Sequence, residues 1–163
     1  MPVETDRFHR PVRAFLRSSI GALALVLAAP AALAQFRAAP LPVRGDLPAA
    51  SQAGDEQAYR RDAARHVYER YPGLIHKGKL PPMMYAVMIT DTEIDATGQV
   101  QSVRVVRPPA AATEVTPWVV ALIRSASPFP QPAAIGRPAV YREIWLVDKS
   151  GRFQVDTLTE GQL

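Results

Sequence analysis

Thr90-Asp91-Thr92-Glu93-Ile94-Asp95-Ala96-Thr97-Gly98-Gln99-Val100 sets the architecture of this chain. Asp91, Glu93 and Asp95 alternate with Thr90, Thr92 and Ile94. Successive side chains of a strand point to opposite faces, so the acids share one face and the threonines and isoleucine the other. That pattern describes a sheet with one packed face and one wet face. Gly98 accepts the positive φ of a tight reversal. Beyond it, Val100 to Arg107 is a second strand. The four residues between them are too few for anything but an antiparallel hairpin. Upstream, Pro81-Pro82 leads into extended chain, so the first strand is expected over Met83 to Asp95. Met84 and Met88 fall on one of its faces with Ala86 and read as core filling.

Ahead of the hairpin, Asp55 to Tyr71 reads as a helix. Asp55 is a capping residue, Glu56 suits the first turn, and Ala64, Val67, Tyr68 and Tyr71 recur at helical spacing. Pro72-Gly73 ends it, and Leu74 to Pro82 is a loop. Behind the hairpin, Pro108-Pro109 stops the strand. A second helix is capped by Thr113 or Thr116, has Pro117 in its first turn, and carries Trp118, Ala121 and Leu122 as an apolar stripe. Ser127-Pro128-Phe129-Pro130-Gln131-Pro132 is a stiff crossing loop. Val140 to Val147 is a third strand. Asp148-Lys149-Ser150-Gly151 is a turn, and Arg152 to Leu158 is a fourth strand with Phe153 and Val155 on one face. The fold class is α+β, and no internal repeat interrupts the order of helix, hairpin, helix and one or two strands.

The N-terminal third has a different character. Arg7, Arg10, Arg13 and Arg17 precede an apolar run from Ile20 to Ala29, followed by Pro30 and Ala32-Leu33-Ala34 before Gln35. A basic start, a short apolar stretch and small residues at the end are the parts of a secretory signal peptide. Ala32 and Ala34 mark the cleavage signature, and Gln35 is the expected first mature residue. The run is shorter than the roughly 20 residues of a spanning helix. An uncleaved anchor is the alternative. Residues 1–34 are thus expected to be a signal, 35–54 a poorly ordered linker rich in Pro and Ala, and 55–163 one domain. The linker reaches no more than roughly 60–70 Å at full extension.

The full chain carries a formal charge of +4, and half of that excess sits in residues 1–34. No compact basic patch with interleaved aromatics remains, so nucleic acid is not an expected partner. With the signal removed, no stable membrane insertion is expected either. The chain has no cysteine, which excludes disulfides, thiol catalysis and thiolate metal sites.

The segment from about Arg60 to Asp148 resembles the C-terminal domain of TonB and TolA, the periplasmic ends of two envelope energy-coupling proteins. The resemblance rests on Thr90 to Val100 with Ser102-Val103-Arg104-Val105, then the helix, the Ser127-Pro128-Phe129-Pro130 junction and the last strand. It implies a small antiparallel sheet of strand order 2-1-3 backed by two helices. It also implies a sheet edge that pairs with the extended segment of an envelope protein, by main-chain hydrogen bonds. A fourth strand over Arg152 to Leu158 would occupy that edge, so the docking edge is either self-blocked or moved outward to the last strand. Tyr141, Arg142, Glu143, Ile144 and Trp145 of the third strand, with Phe153 and Val155 of the fourth, are the expected partner-binding residues. Two features depart from the family, the short linker and the extra hairpin past Asp148. Both weigh against force transmission from an inner-membrane motor. The alternative is a membrane-tethered energy transducer, if the N-terminal segment stays uncut.

No catalytic set emerges. Asp91, Glu93 and Asp95 lie about 6.5–7 Å apart along one face, too far for a hard cation without further ligands, and read as a solvated face. His66 and His76 form no H-E-x-x-H or H-x-x-E-H pattern and read as surface histidines. No serine stands in a G-x-S-x-G context, and no glycine-rich phosphate loop exists. Trp118 reads as a core residue; Trp145 shares a strand face with Tyr141 and Glu143, and alternation leaves open which face is inward, with the core favoured because large aromatics in short domains are mostly buried. The sequence therefore describes a protein-binding module, not an enzyme, with no cofactor and no metal. Its expected location is the periplasm and its expected partner an envelope protein or extended peptide.

Overall fold

The computed structural model describes residues 36, 38–42 and 45–163. The expected signal and its cleavage residues Ala32, Ala34 and Gln35 lie outside the described residues. The elements run α1 (Glu56–Arg70), β1 (Ala86–Ile94), β2 (Val100–Arg107), α2 (Val115–Ser125), β3 (Ala139–Val147) and β4 (Phe153–Val155). Single 3-10 turns follow α1 (Pro72–Leu74) and β4 (Asp156–Leu158).

The α1 helix begins where the Asp55 carboxylate accepts from the Ala58 N–H at 2.8 Å. It ends at Tyr71, whose N–H reaches the Val67 carbonyl before Pro72 stops the turn. Tyr59, Ala63, Ala64, His66 and Val67 form its buried face. Two tyrosine hydroxyls tie α1 to the second helix and the crossing loop: Tyr59 donates to the Pro130 carbonyl at 2.6 Å and Tyr71 to the Leu122 carbonyl at 2.8 Å.

The strands β1 to β4 pair antiparallel in the order β2-β1-β3-β4. The β1–β3 register runs unbroken from Ala86 opposite Val147 to Ile94 opposite Ala139. The inner face carries Met88, Thr90, Thr92, Ile94, Tyr141, Trp145 and Val147, all buried. Both helices pack on this face, α1 over β3 and α2 over β2. Trp145 lies 5.1 Å from Phe153 between ring centroids, and its Nε1 donates to the Thr90 hydroxyl at 3.0 Å. The crossing loop packs so closely on the hairpin turn that a Cβ on Gly98, at φ +87°, would meet the Phe129 carbonyl oxygen at 2.1 Å. The same close approach holds the Phe129 N–H on the Gly98 oxygen at 2.7 Å.

Several expectations are corrected. The first strand begins at Ala86 rather than Met83, because the chain bends through residues 82–85 after Pro81-Pro82. Met88 is in the core, while Met84 is half-buried. Neither Thr113 nor Thr116 caps α2; Glu114 occupies that position without a side-chain cap, and Thr116 lies inside the first turn. The fourth strand covers three residues, not seven, since the chain turns into the Asp156–Leu158 3-10 turn. Its two apolar residues, Phe153 and Val155, are both buried. The segment expected as a free linker is docked. Phe36 is 5% exposed and packs edge-on to Trp118 at 5.2 Å, while the Ser51 N–H donates to the Gln131 carbonyl at 2.9 Å. Its aromatic and its one well-placed serine outweigh the Pro- and Ala-rich composition.

Candidate functional site

One contact fixes the hydrogen-bonding directions along β3. The Asp148 N–H donates to the Arg152 carbonyl at 2.9 Å, closing the β3–β4 hairpin. Antiparallel pairs alternate between bonded and non-bonded positions. The backbone groups of Val140, Arg142, Ile144 and Leu146 therefore face away from β1, and those of the odd-numbered residues face it. β4 opposes only Trp145, Leu146 and Val147. The outward groups of Val140, Arg142 and Ile144 are left beyond its end.

A groove of about 570 Å³ runs along this open half, lined by Glu56, Gln57 and Arg60 of α1 and by Val140 and Arg142 of β3. Two carboxylates flank it. Glu143 is fully buried, and its Oε1 accepts from the Ile144 N–H at 2.9 Å, from Arg60 Nη2 at 2.8 Å and from the Thr157 N–H at 3.4 Å. The Tyr141 hydroxyl donates to its other oxygen at 3.1 Å. Burial, and then Glu143 beside it, pushes the Tyr141 phenol well above its ordinary pKa. Partial burial opposes the charge on Arg60, yet the hydrogen bond to Glu143 and the charges of Glu143 and Asp156 raise its pKa. Glu56, by contrast, lies at the rim. Its Oε1 accepts from Arg137 Nη1 at 2.9 Å and from the Val140 N–H at 3.4 Å. Between the two carboxylates, the Arg142 N–H meets no acceptor among the described residues.

The other edges are closed or blunted. β4 has its outer side covered: the Phe153 carbonyl accepts from the His76 N–H at 2.9 Å, and the Val155 N–H donates to the Tyr68 hydroxyl at 3.2 Å. The outer side of β4 is therefore not open to a further strand at Phe153 and Val155. β2 is open on its outer side only beyond Val100, whose N–H donates to the Ser127 hydroxyl at 3.2 Å, and its pairing with β1 breaks between Ile89 and Thr90 and again between Glu93 and Ile94. Arg104 and Arg107 flank it. Irregular register and charged side chains are the ordinary means of discouraging edge pairing. Among the described strands, β3 alone offers a regular edge with a stretch left open.

The expected partner-binding residues divide by face. Tyr141, Glu143, Trp145, Phe153 and Val155 are buried, at 0% exposure each, so their side chains build the core beneath the edge and present nothing to a partner. Arg142 and Ile144 lie on the outer face, Arg142 exposed and Ile144 half-buried. Arg142 is engaged by Asp91, to which it donates at 2.6 and 2.8 Å, while Arg104 pairs with the same carboxylate from β2. Asp91 is consequently not solvated as its alternation implied; its side chain is 6% exposed. Hydrogen bonds from Arg142, set against some burial, and the charge of Arg104 hold it below the ordinary carboxylate range. Glu93 is exposed, in keeping with the wet face. Two histidines also depart from expectation. His66 is 4% exposed, and His76 Nδ1 lies 2.7 Å from the Asp148 carboxylate.

Glu56, Arg60, Arg137 and Thr157 belong to the site and were not singled out by sequence reasoning. Their long-range contacts span from 14 to 96 positions along the chain, beyond any local pattern. The one available signal was Glu143, an acid on the same strand face as Tyr141 and Trp145. Among the described residues no group of three or more His, Asp or Glu side chains is placed to hold a metal ion, and no helix is long and apolar enough to cross a membrane. No family model, curated protein or solved structure matches the chain.

Proposed function

We propose that this chain is an exported protein-binding module of the TonB/TolA C-terminal kind, which captures an extended segment of an envelope protein on the open half of the β3 edge. The observation that carries this reading is the pair of outward backbone groups at Val140 and Arg142, beside a groove and on an unbroken strand. Main-chain pairing of this type supplies affinity without a preformed cavity. The strand order β2-β1-β3 with two helices on one face fits the same reading. Blunting of β2 and coverage of β4 favour β3 as the working edge.

The docked segment bears on the choice between a free module and a tethered transducer. Phe36 packs against Trp118 and Tyr85 only two residues past Ala34. With that contact made, almost none of the linker is left to span the periplasm. This favours the free, exported form over the energy transducer.

The test is site-specific photocrosslinking in the full chain, with the reactive group at the exposed groove residue Gln57 or, as a control, at Arg107 beside β2. Capture from Gln57 that disappears in a Val140→Pro background is the expected result, because proline removes the outward N–H while leaving the β1 ladder intact. Capture from Arg107 alone, or capture from Gln57 indifferent to Val140→Pro, would refute the reading.

A further inference from the structure

The two carboxylates on the β3 edge are not equivalent, and the difference has a consequence for what can dock there. Glu143 is buried and bound on every side, by Arg60, Tyr141, Thr157 and the Ile144 N–H. Glu56 is 36% exposed and rests on Arg137, itself 63% exposed, with a long 3.4 Å contact to the Val140 N–H. Both acceptors occupy positions where a neighbouring strand would present its carbonyl oxygens. Glu143 does so as a fixed part of the core. Glu56 does so as a loose side chain on the first turn of α1, free to swing out without disturbing any buried group.

Resting on the docking reading above, we infer that Glu56 is a removable cap over the Val140 N–H, and that Glu143 is a permanent stop at Ile144. Together they set the length and register of the segment that binds. An incoming strand displaces Glu56, takes the donors of Val140 and Arg142, and ends where Glu143 already holds the Ile144 N–H. The bound segment is therefore short, with two residues donated to by β3 rather than a full strand's worth. The cap also accounts for how a regular, half-open edge avoids pairing with other strands while empty, a hazard that proteins meet with charged side chains at such edges. Displacing it costs one weak hydrogen bond. Arg137 remains as the counter-ion for Glu56 after it swings away, so no charge is stranded.

The test uses the full chain and one probe, a six-residue peptide of alternating threonine and valine with blocked ends. Amide hydrogen exchange is followed residue by residue by NMR. In the free chain, Glu56→Ala is expected to speed exchange at Val140 several-fold and leave Ile144 unchanged, with Glu56→Gln, which keeps an acceptor, intermediate. Added peptide is expected to slow Val140 and Arg142 but not Ile144, and to bind the Glu56→Ala chain about three- to tenfold more tightly, the equivalent of one modest hydrogen bond. Unchanged exchange at Val140 and unchanged affinity in Glu56→Ala, with binding still abolished by Val140→Pro, would overturn the cap and leave the docking edge standing. Binding that survives Val140→Pro would remove the docking edge and the cap together. Slowing of Ile144 on peptide addition would overturn the stop at Glu143. An unaltered melting temperature in Glu56→Ala separates these readouts from loss of the fold.

Discussion

His66 sits between α1 and the crossing loop, with its Nε2 2.7 Å from the Ala126 carbonyl and its ring 4.9 Å from that of Phe129. Burial lowers its pKa, against the pull of that hydrogen bond. Below the ordinary histidine value of about 6.5, the unfolded chain takes up a proton that the folded chain refuses. Stability is complete above that pH and declines as the pH falls through it toward the lower folded value. The decline is at most about 1.4 kcal/mol per pH unit. Thermal melts of the wild type and of His66→Gln between pH 7.5 and 5 check this: the wild type is expected to lose stability on acidification and the variant to lose much less. Equal slopes would mean that another group is responsible. Nothing in the sequence distinguished this histidine from His76, since Arg65 and Glu69 surround it with charge and its burial depends on Ala126 and Phe129, far along the chain.

At the level of elements, the chain past Asp148 does more than extend the sheet. Gln154 is 1% exposed although it lies on the outer face of the sheet. Its Nε2 donates to the carbonyls of His76 and Gly78 at 2.9 and 2.8 Å, and its Oε1 accepts from Thr159 Oγ1 and the Glu160 N–H, both at 3.0 Å. One amide thus ties the 76–78 loop to the C-terminal tail. Gln154→Ala is expected to cost about 2–3 kcal/mol, from four net contributions of roughly 0.5–1.5 each with some replacement by water. It should also raise hydrogen exchange at Leu80, whose N–H donates to the Gly161 carbonyl. Truncation after Asp148 is a harsher test. It removes Phe153, worth about 3–5 kcal/mol when a buried phenylalanine is cut to alanine, together with Val155, from a total of about 5–15. The shortened chain is expected to lose the near-ultraviolet circular dichroism of Trp118 and Trp145; a cooperative melt in its place would show the last strand to be dispensable. The elements themselves were legible because their signals are local. Asp55 caps α1, Gly98 turns the hairpin, and alternation along Thr90 to Asp95 names the two faces. The shortness of β4 is not legible in the sequence, since the groups that meet the chain beyond Val155 come from far along it: Arg60 of α1 on Asp156 at 3.3 Å and Glu143 on the Thr157 N–H at 3.4 Å.

For the molecule as a whole, the N-terminal segment at Phe36 is part of the packed domain. Phe36 lies stacked on Tyr85 at 5.7 Å as well as edge-on to Trp118. Phe36→Ala is expected to lower stability by about 2–3 kcal/mol, less than a central phenylalanine because ordering a terminal segment costs entropy. Denaturant titration measures it, and a change under about 0.5 kcal/mol, the usual size of a surface substitution, would mean the segment is only loosely held. This docking escaped composition-based reading because Pro- and Ala-rich chain signals lack of regular structure, not lack of contact. The candidate site is legible in the sequence only in part: a fourth strand leaves the docking edge either self-blocked on β3 or moved outward to β4, and five of the seven residues expected to meet a partner are buried. Alternation alone did not say which face of Val140 to Val147 is inward. The proposed capture of an extended segment by the main chain of β3 is read most directly at the Arg142 amide, which has no acceptor of its own among the described residues. The envelope segment crosslinked from Gln57, once identified, is to be synthesised and titrated into the chain while amide exchange is followed. Exchange at Arg142 is expected to slow at least about tenfold on saturation, the effect of one hydrogen bond of roughly 1.4 kcal/mol, with Val103 and Val105 on β2 unchanged. Saturable binding with Arg142 exchange unaltered would mean that the segment docks somewhere other than the β3 edge.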